Sequence, residues 1–218
     1  GVAGPTRASA VTHARHAAQV GADAVIAVPP YFSPGTPEEI RDYYEGIAAA
    51  AGRPVFIQHT HAGMDTSLMR RLLEDVPYLR YIKEEMQPSA HQISAVIRSA
   101  GSACLGVFGG AHGRWMLSEM WRGASGFMPA VEAVDVHVQV WEHYQRGDED
   151  GARRIFNQLL PLINLITLLG LRVCKRVLVK RGVFESAAMR QPGATELDAE
   201  DERELEAILD GLRPLFRV

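Results

Sequence analysis

Along roughly the first 130 residues, short apolar runs alternate with longer stretches whose apolar positions recur at helical spacing. The short runs are Ala24 to Val28, Pro54 to Gln58, Leu79 to Lys83, Ala103 to Val107 and Gly126 to Met128, and each predicts a strand. The stretches between them predict helices: Thr36-Pro37 to about Gly52, Thr66 to Glu74, Pro88 to Ser99 and His112 to Arg122. Strand starts fall about 20 to 30 residues apart, the spacing of consecutive parallel βα units. The runs are continuous rather than alternating, which predicts strands buried on both faces.

Polar punctuation sharpens several boundaries. Thr6 can cap a first helix carrying Ala10, Val11, Ala14, Ala17 and Ala18, which Gly21 stops. Thr36-Pro37-Glu38-Glu39 combines a capping threonine, a proline at the first helical position and a glutamate three residues after the cap. After Ala130 the strand pattern ceases. Helices are predicted from about Val131 to Arg146, from about Glu149 across Ile155, Phe156 and Leu159, from about Leu171 to Arg181, and after the capping Asp198. Residues 1–130 are therefore expected to form a βα-built domain, and residues 131–218 its last helix and a helical extension.

A doubly wound sheet and a (β/α) barrel share this pattern. No G-x-G-x-x-G follows the early strand, which weakens the dinucleotide-binding alternative. Composition narrows the partners. Net charge is −3 and the basic residues are scattered, so no nucleic-acid surface is expected. No run approaches the roughly 20 apolar residues of a membrane span, and no secretory signal is visible. Cys104 and Cys174 sit in apolar segments without a partner at metal spacing, the pattern of buried thiols in a reducing cytoplasm. The first methionine is Met64, so a chain shortened at its beginning is expected.

Ligands of parallel α/β proteins gather at the carboxyl ends of the strands. Those ends carry Tyr31 and Phe32, Gln58 to His61, Lys83 to Glu85, Phe108 to Ala111, and Met128 to Ala130. Lys83 is one of three lysines, the other two being Lys175 and Lys180 in a late basic helix. An amine held among apolar strand residues is a candidate nucleophile toward carbonyl carbon; the alternative is a solvated lysine paired with a glutamate. Strand alternation puts Tyr81, Lys83 and Glu85 on one face, and Ile82 and Glu84 on the other. His59 and His61, with Asp65 nearby, could suggest zinc, but no third ligand stands at a standard spacing and no metal is expected. The amides of Gly106 to Gly110 could meet an anion or leave room for substrate.

Three segments, in this order, resemble the dihydrodipicolinate synthase and N-acetylneuraminate lyase family of class I aldolases. Gly21-Ala22-Asp23-Ala24-Val25 leading to Val28-Pro29-Pro30-Tyr31-Phe32 is similar to the family's fourth strand and its Pro-Tyr-Tyr end. Tyr81-Ile82-Lys83-Glu84 is similar to its Ile-Lys-Glu strand, and Gly182 through Arg190-Gln191-Pro192 to its C-terminal Arg-x-Pro segment. The resemblance implies a (β/α)8 TIM barrel, here N-terminally incomplete at about strands 4–8, with a C-terminal helical extension. It implies a Schiff base between Lys83 and a 2-keto acid such as pyruvate, no cofactor, a cytoplasmic location and a homo-oligomer, dimer or tetramer.

The departures are informative. Gln58 stands where family synthases and lyases carry a proton-relay tyrosine, Phe32 replaces the second tyrosine, and no arginine follows between His59 and Asp65. The Gly-Thr-Thr-Gly carboxylate loop is missing. These points weigh against dihydrodipicolinate synthesis. Lys83-x-Glu85 together with Gly106-Val107-Phe108-Gly109-Gly110 looks more like the branch acting on 2-keto-3-deoxy sugar acids, by dehydration or aldol cleavage. Lys83 is then the expected nucleophile and Glu85 the acid or base, with Tyr31, Gln58, Gly109, Gly110 and Met128 lining the substrate pocket. A synthase or sialate-lyase activity, and a non-catalytic or truncated family member, are the alternatives.

Overall fold

The computed structural model describes residues 1–31, 35–60 and 64–217. Phe32 and His61 lie outside the described residues. Five parallel strands form one sheet in sequence order: β1 (Val25–Ala27), β2 (Val55–His59), β3 (Leu79–Glu84), β4 (Gly106–Gly109) and β5 (Gly126–Phe127). Helices α1 (Arg7–Gln19), α2 (Pro37–Ala51), α3 (Thr66–Asp75), α4 (Ser89–Ala100) and α5 (Met116–Met120) alternate with the strands. They are followed by α6 (Val134–Gln145), α7 (Glu149–Leu169), α8 (Leu171–Lys180) and α9 (Ala199–Leu212). A doubly wound sheet reverses its strand order at a switch point; the described strands do not. Among the described residues, no helix is long and apolar enough to cross a membrane.

The chain divides into two compact units, Gly1–Gly110 with Ser118–Met128, and Ala111–Leu117 with Pro129–Val218. In the first, Val25, Val55, Ile57, Leu79, Ile82 and Val107 on one face of the sheet join Tyr44, Ile47, Leu72, Leu73, Ile93 and Val96 of the helices in a single core. The opposite face is only half-buried and carries Ile26, Phe56, Tyr81 and Phe108. Phe56 and Tyr81 stack at 4.6 Å, with Phe108 edge-on at 5.4 Å from Phe56 and 6.2 Å from Tyr81. Burial on both faces, expected from the continuous apolar runs, is therefore not found among the described residues. The runs are continuous because one face takes aliphatic side chains and the other aromatic ones.

Helix starts follow their caps. Thr36 accepts from the Glu39 amide at 3.2 Å while the Glu39 carboxylate accepts from the Thr36 amide at 2.8 Å, with Pro37 at the first position. Asp198 and Asp201 make the same reciprocal pair at the head of α9. The Tyr44 hydroxyl, buried inside α2, donates to the Ala27 carbonyl at 2.9 Å and so ties α2 to the end of β1.

Two expectations shift. The strand predicted at Ala103 to Val107 begins at Gly106 instead, because Gly101–Ala103 winds into a short 3₁₀ turn. That brings Phe108 and Gly109 into the sheet. The helix predicted from His112 to Arg122 is a 3₁₀ turn at Ala111–Gly113 followed by the short α5, since Ala111 and His112 adopt left-handed backbone angles (φ 46° and 56°) that an α-helix excludes.

Candidate active site

Register decides which groups meet. Between β2 and β3 the pairing runs Val55 to Leu79 and then Phe56 to Tyr81, so Arg80 is an extra residue in β3. This bulge switches the alternation: Leu79 and Ile82 both face the helices, while Tyr81 and Lys83 face the other way. The same register sets Gln58 beside Lys83 and His59 beside Glu84, one pair for each face.

On the half-buried face Lys83 Nζ lies 3.2 Å from Glu85 Oε1, and Gln58 Nε2 donates to Glu85 Oε2 at 2.7 Å. Glu85 itself is anchored through its amide, which donates to the His59 carbonyl at 2.8 Å. Its side chain rests on Gly110: a Cβ there would stand 2.4 Å from Glu85 Cγ and Oε1. Lys83 and Glu85 keep about a sixth of their side-chain surface exposed, at 16% and 18%, so the amine is sheltered yet reachable. Below them lies the Phe56–Tyr81–Phe108 cluster, an apolar floor.

The other face carries a buried polar row. His59 Nδ1 meets both Glu84 oxygens at 2.8 and 2.9 Å, and Glu84 Oε1 also accepts from the Met86 amide at 2.8 Å. Ser89 Oγ donates to Glu119 Oε1 on α5. A Cβ on Gly109 would stand 2.2 Å from Glu119 Oε2 and 2.6 Å from the Phe127 ring, so glycine lets Glu119 pack against the strand. Burial pushes the Glu119 carboxyl up to about 7; the Ser89 hydroxyl opposes the rise, and the charges of Glu84 and Glu85 add to it.

Of the residues expected at the site, Lys83, Glu85, Gln58 and Gly110 come together. Gly109 pairs with Glu84 in the ladder, and its missing side chain would point at Glu119 rather than Lys83. Met128 is half-buried just past β5, its amide donating to the Gly109 carbonyl at 3.0 Å. Tyr31, just before an undescribed segment, is 55% exposed. His59 is committed to Glu84, and Asp65 caps α3 by accepting from the Leu68 amide at 2.7 Å. Clefts of about 470 Å³ beside Thr6 and Tyr43 and about 570 Å³ along Arg172 and Arg176 are lined by other residues.

The Dihydrodipicolinate synthetase family model matches residues 1–212. The chain belongs to this family. It is the family that the Tyr81-Ile82-Lys83-Glu84 and Pro29-Pro30-Tyr31 segments resemble. Among curated members, the L-2-keto-3-deoxyarabonate dehydratase of Azospirillum brasilense is 29% identical over 206 residues, covering 91% of this chain and 66% of that one. The 4-hydroxy-tetrahydrodipicolinate synthase of Bifidobacterium longum is 26% identical over 192 residues, covering 84% and 63%. The chain thus spans just under two-thirds of the length of these family members. A dihydrodipicolinate synthase from Rhodopseudomonas palustris superposes with a TM-score of 0.85 at 29% identity, over 97% of this chain and 73% of its own.

Two expected results test the local geometry. With its folded-state value raised above the ordinary one, Glu119 holds a proton that the unfolded chain releases. The stability this brings is full below about pH 4.5 and lost as pH rises through about 7. Glu119→Gln should match the parent near pH 5 and exceed it by about 1–3 kcal/mol near pH 8.5. Parallel denaturation profiles across that range would contradict the assignment. Gly110→Ala should displace Glu85 from Lys83 and lower turnover about 100-fold with the melting temperature nearly unchanged, a result that steady-state kinetics and calorimetry check together.

Proposed function

We propose that the protein is a Schiff-base-forming lyase acting on a 2-keto-3-deoxy sugar acid, as a dehydratase or an aldolase. The observation that carries this reading is the Lys83–Glu85–Gln58 cluster at the carboxyl ends of β2 and β3. Lys83 Nζ attacks the keto carbon, and the carbinolamine loses water to give an iminium. That iminium draws electrons from the neighbouring C3, so its C–H becomes acidic. Glu85, 3.2 Å from Nζ, is placed to accept the C3 proton. The enamine then expels the C4 hydroxyl as water once it is protonated. In the retro-aldol alternative the iminium keeps its C3 protons, the C4 hydroxyl is deprotonated, and the C3–C4 bond breaks to give an aldehyde and an enamine. In either case hydrolysis of the imine frees Lys83. Gln58 holds the carboxylate in place and cannot itself relay a proton as a phenol would.

The likeness to a 2-keto-3-deoxyarabonate dehydratase supports the substrate class. The synthase alternative, which the Bifidobacterium relative represents, is disfavoured by Gln58 at the relay position. The five strands are read as part of a (β/α)8 barrel, whose interior layer the Phe56–Tyr81–Phe108 cluster would supply. A homo-oligomer, dimer or tetramer, in the cytoplasm and without a cofactor in the reaction, completes the reading.

Borohydride trapping with pyruvate and with a 2-keto-3-deoxypentonate tests it, by mass spectrometry and peptide mapping. A reduced adduct on the Lys83 peptide is expected, and product analysis then separates dehydration from cleavage. A folded protein that forms no adduct with either acid would overturn the proposal.

A further inference from the structure

The second unit holds a set of side chains that the Schiff-base reading does not use. His112, Glu132 and Cys174 each offer one donor atom, and the three lie within 4.8 Å of one another. They come from the 3₁₀ turn after β4, the turn ahead of α6, and α8. Glu132 is fully buried and Cys174 is 5% exposed. Both Glu132 carboxylate oxygens and His112 Nδ1 are buried without a hydrogen-bond partner among the described residues. Buried carboxylates are ordinarily paired, hydrogen-bonded or metal-bound. Here the buried carboxylate faces the Cys174 thiol and an imidazole nitrogen that has no partner among the described residues, all converging on the same space.

The backbone around these donors is firmly held. Arg181 donates to the Glu132 carbonyl at 2.6 Å and is fixed by two bonds to Asp135, at 2.7 and 3.0 Å. The His112 carbonyl faces His137 Nε2 at 2.9 Å, and the Ala133 carbonyl faces His137 Nδ1 at 2.9 Å. Gly113 makes that approach possible, since a Cβ there would stand 2.8 Å from the His137 ring. The left-handed angles of His112 are thus clamped by its own carbonyl while its side chain points to Glu132 and Cys174. Partners that orient a ligand-bearing backbone and leave the donor atoms unsatisfied are what an outer shell provides.

From these observations we infer that His112, Glu132 and Cys174 form a binding site for a borderline-soft divalent cation of the zinc type. A thiolate, an imidazole and a carboxylate suit Zn²⁺ and exclude Mg²⁺ and Ca²⁺, which take oxygen ligands. A tetrahedral ion with bonds of about 2.0–2.3 Å sets its ligand atoms about 3.3–3.8 Å apart, so small side-chain rotations close the present spacing. Water fills the fourth position, and half-buried His112 gives the ion its way in. On binding, the Cys174 thiol loses its proton to solvent and the sulfur–metal bond replaces the sulfur–hydrogen bond.

Cobalt(II) titration of the chelator-treated protein tests the site. Saturation at one ion per chain is expected, with tetrahedral visible bands and a thiolate-to-cobalt charge-transfer band in the near ultraviolet. Zinc should displace it and magnesium should not. Cys174→Ser should lose the charge-transfer band, whereas Cys104→Ser keeps it, and Glu132→Gln should bind at least about 10-fold more weakly while keeping the band. Zinc should raise the melting temperature of the parent well above that of Glu132→Gln, which serves as the decisive variant if Cys174→Ser does not fold. A folded parent without the charge-transfer band, or affinity unchanged in Glu132→Gln, would overturn the inference.

Discussion

Lys83→Ala is expected to abolish imine trapping and to lower turnover by at least about 1,000-fold, because the variant lacks the amine that we propose as the nucleophile. Stability should change by less than about 1 kcal/mol, since the ion pair lost is partly solvated and Gln58 still holds Glu85. Glu85→Gln separates the two roles. Its amine remains, so borohydride should still trap an imine with pyruvate, while turnover falls about 100- to 10,000-fold for want of a proton acceptor at C3. Measuring both quantities on both variants is decisive. If Glu85→Gln turns over normally, the carboxylate only neutralises Lys83 and the base lies elsewhere. If Lys83→Ala still traps an imine, another amine carries the chemistry and the assignment of this strand end fails.

Much of this arrangement was readable from residue order. Apolar runs located the five described strands, and the Thr36-Pro37-Glu38-Glu39 cap and Asp198 located the starts of α2 and α9. Alternation along Tyr81-Ile82-Lys83-Glu84-Glu85 separated the faces correctly. Where reading failed, the reason was physical. Ala103-Cys104-Leu105 is apolar enough to read as strand, but Ala103 closes a 3₁₀ turn and β4 starts at Gly106. Nothing local marks Ala111 and His112 for left-handed angles, and with them the helix expected after β4 was displaced.

Pairings across elements were harder to see. Glu84 shares a face with Ile82, and a carboxylate among aliphatic residues demands a partner; that signal was present, but choosing His59 required the register. Ser89 and Glu119 meet only once α4 and α5 are placed. The spacings of His112, Glu132 and Cys174 match no metal motif, because three separate turns and helices bring them together. Sequence spacing reports ligands that share one element, not ligands that the fold assembles.

The largest stability change is expected where that register is locked. Glu84→Leu leaves the His59 ring nitrogen and the Met86 amide without their acceptor, and His59→Leu leaves a fully buried carboxylate with the Met86 amide alone. Each should cost about 3–5 kcal/mol in urea denaturation, the usual consequence of stranding one member of a buried pair. The double variant should cost less than the sum, and less than either single change if the two leucines pack well, because no uncompensated polar group then remains. Function should follow. The His59–Glu84 pair and the Gln58–Lys83 pair belong to one register, and slippage by one residue would turn Lys83 toward the helices. Both single variants should therefore lose imine trapping under conditions where circular dichroism still shows helical structure. Single variants that cost under about 1 kcal/mol, or that keep full trapping, would mean the register is set by the aliphatic core of β2 and β3 without help from this pair.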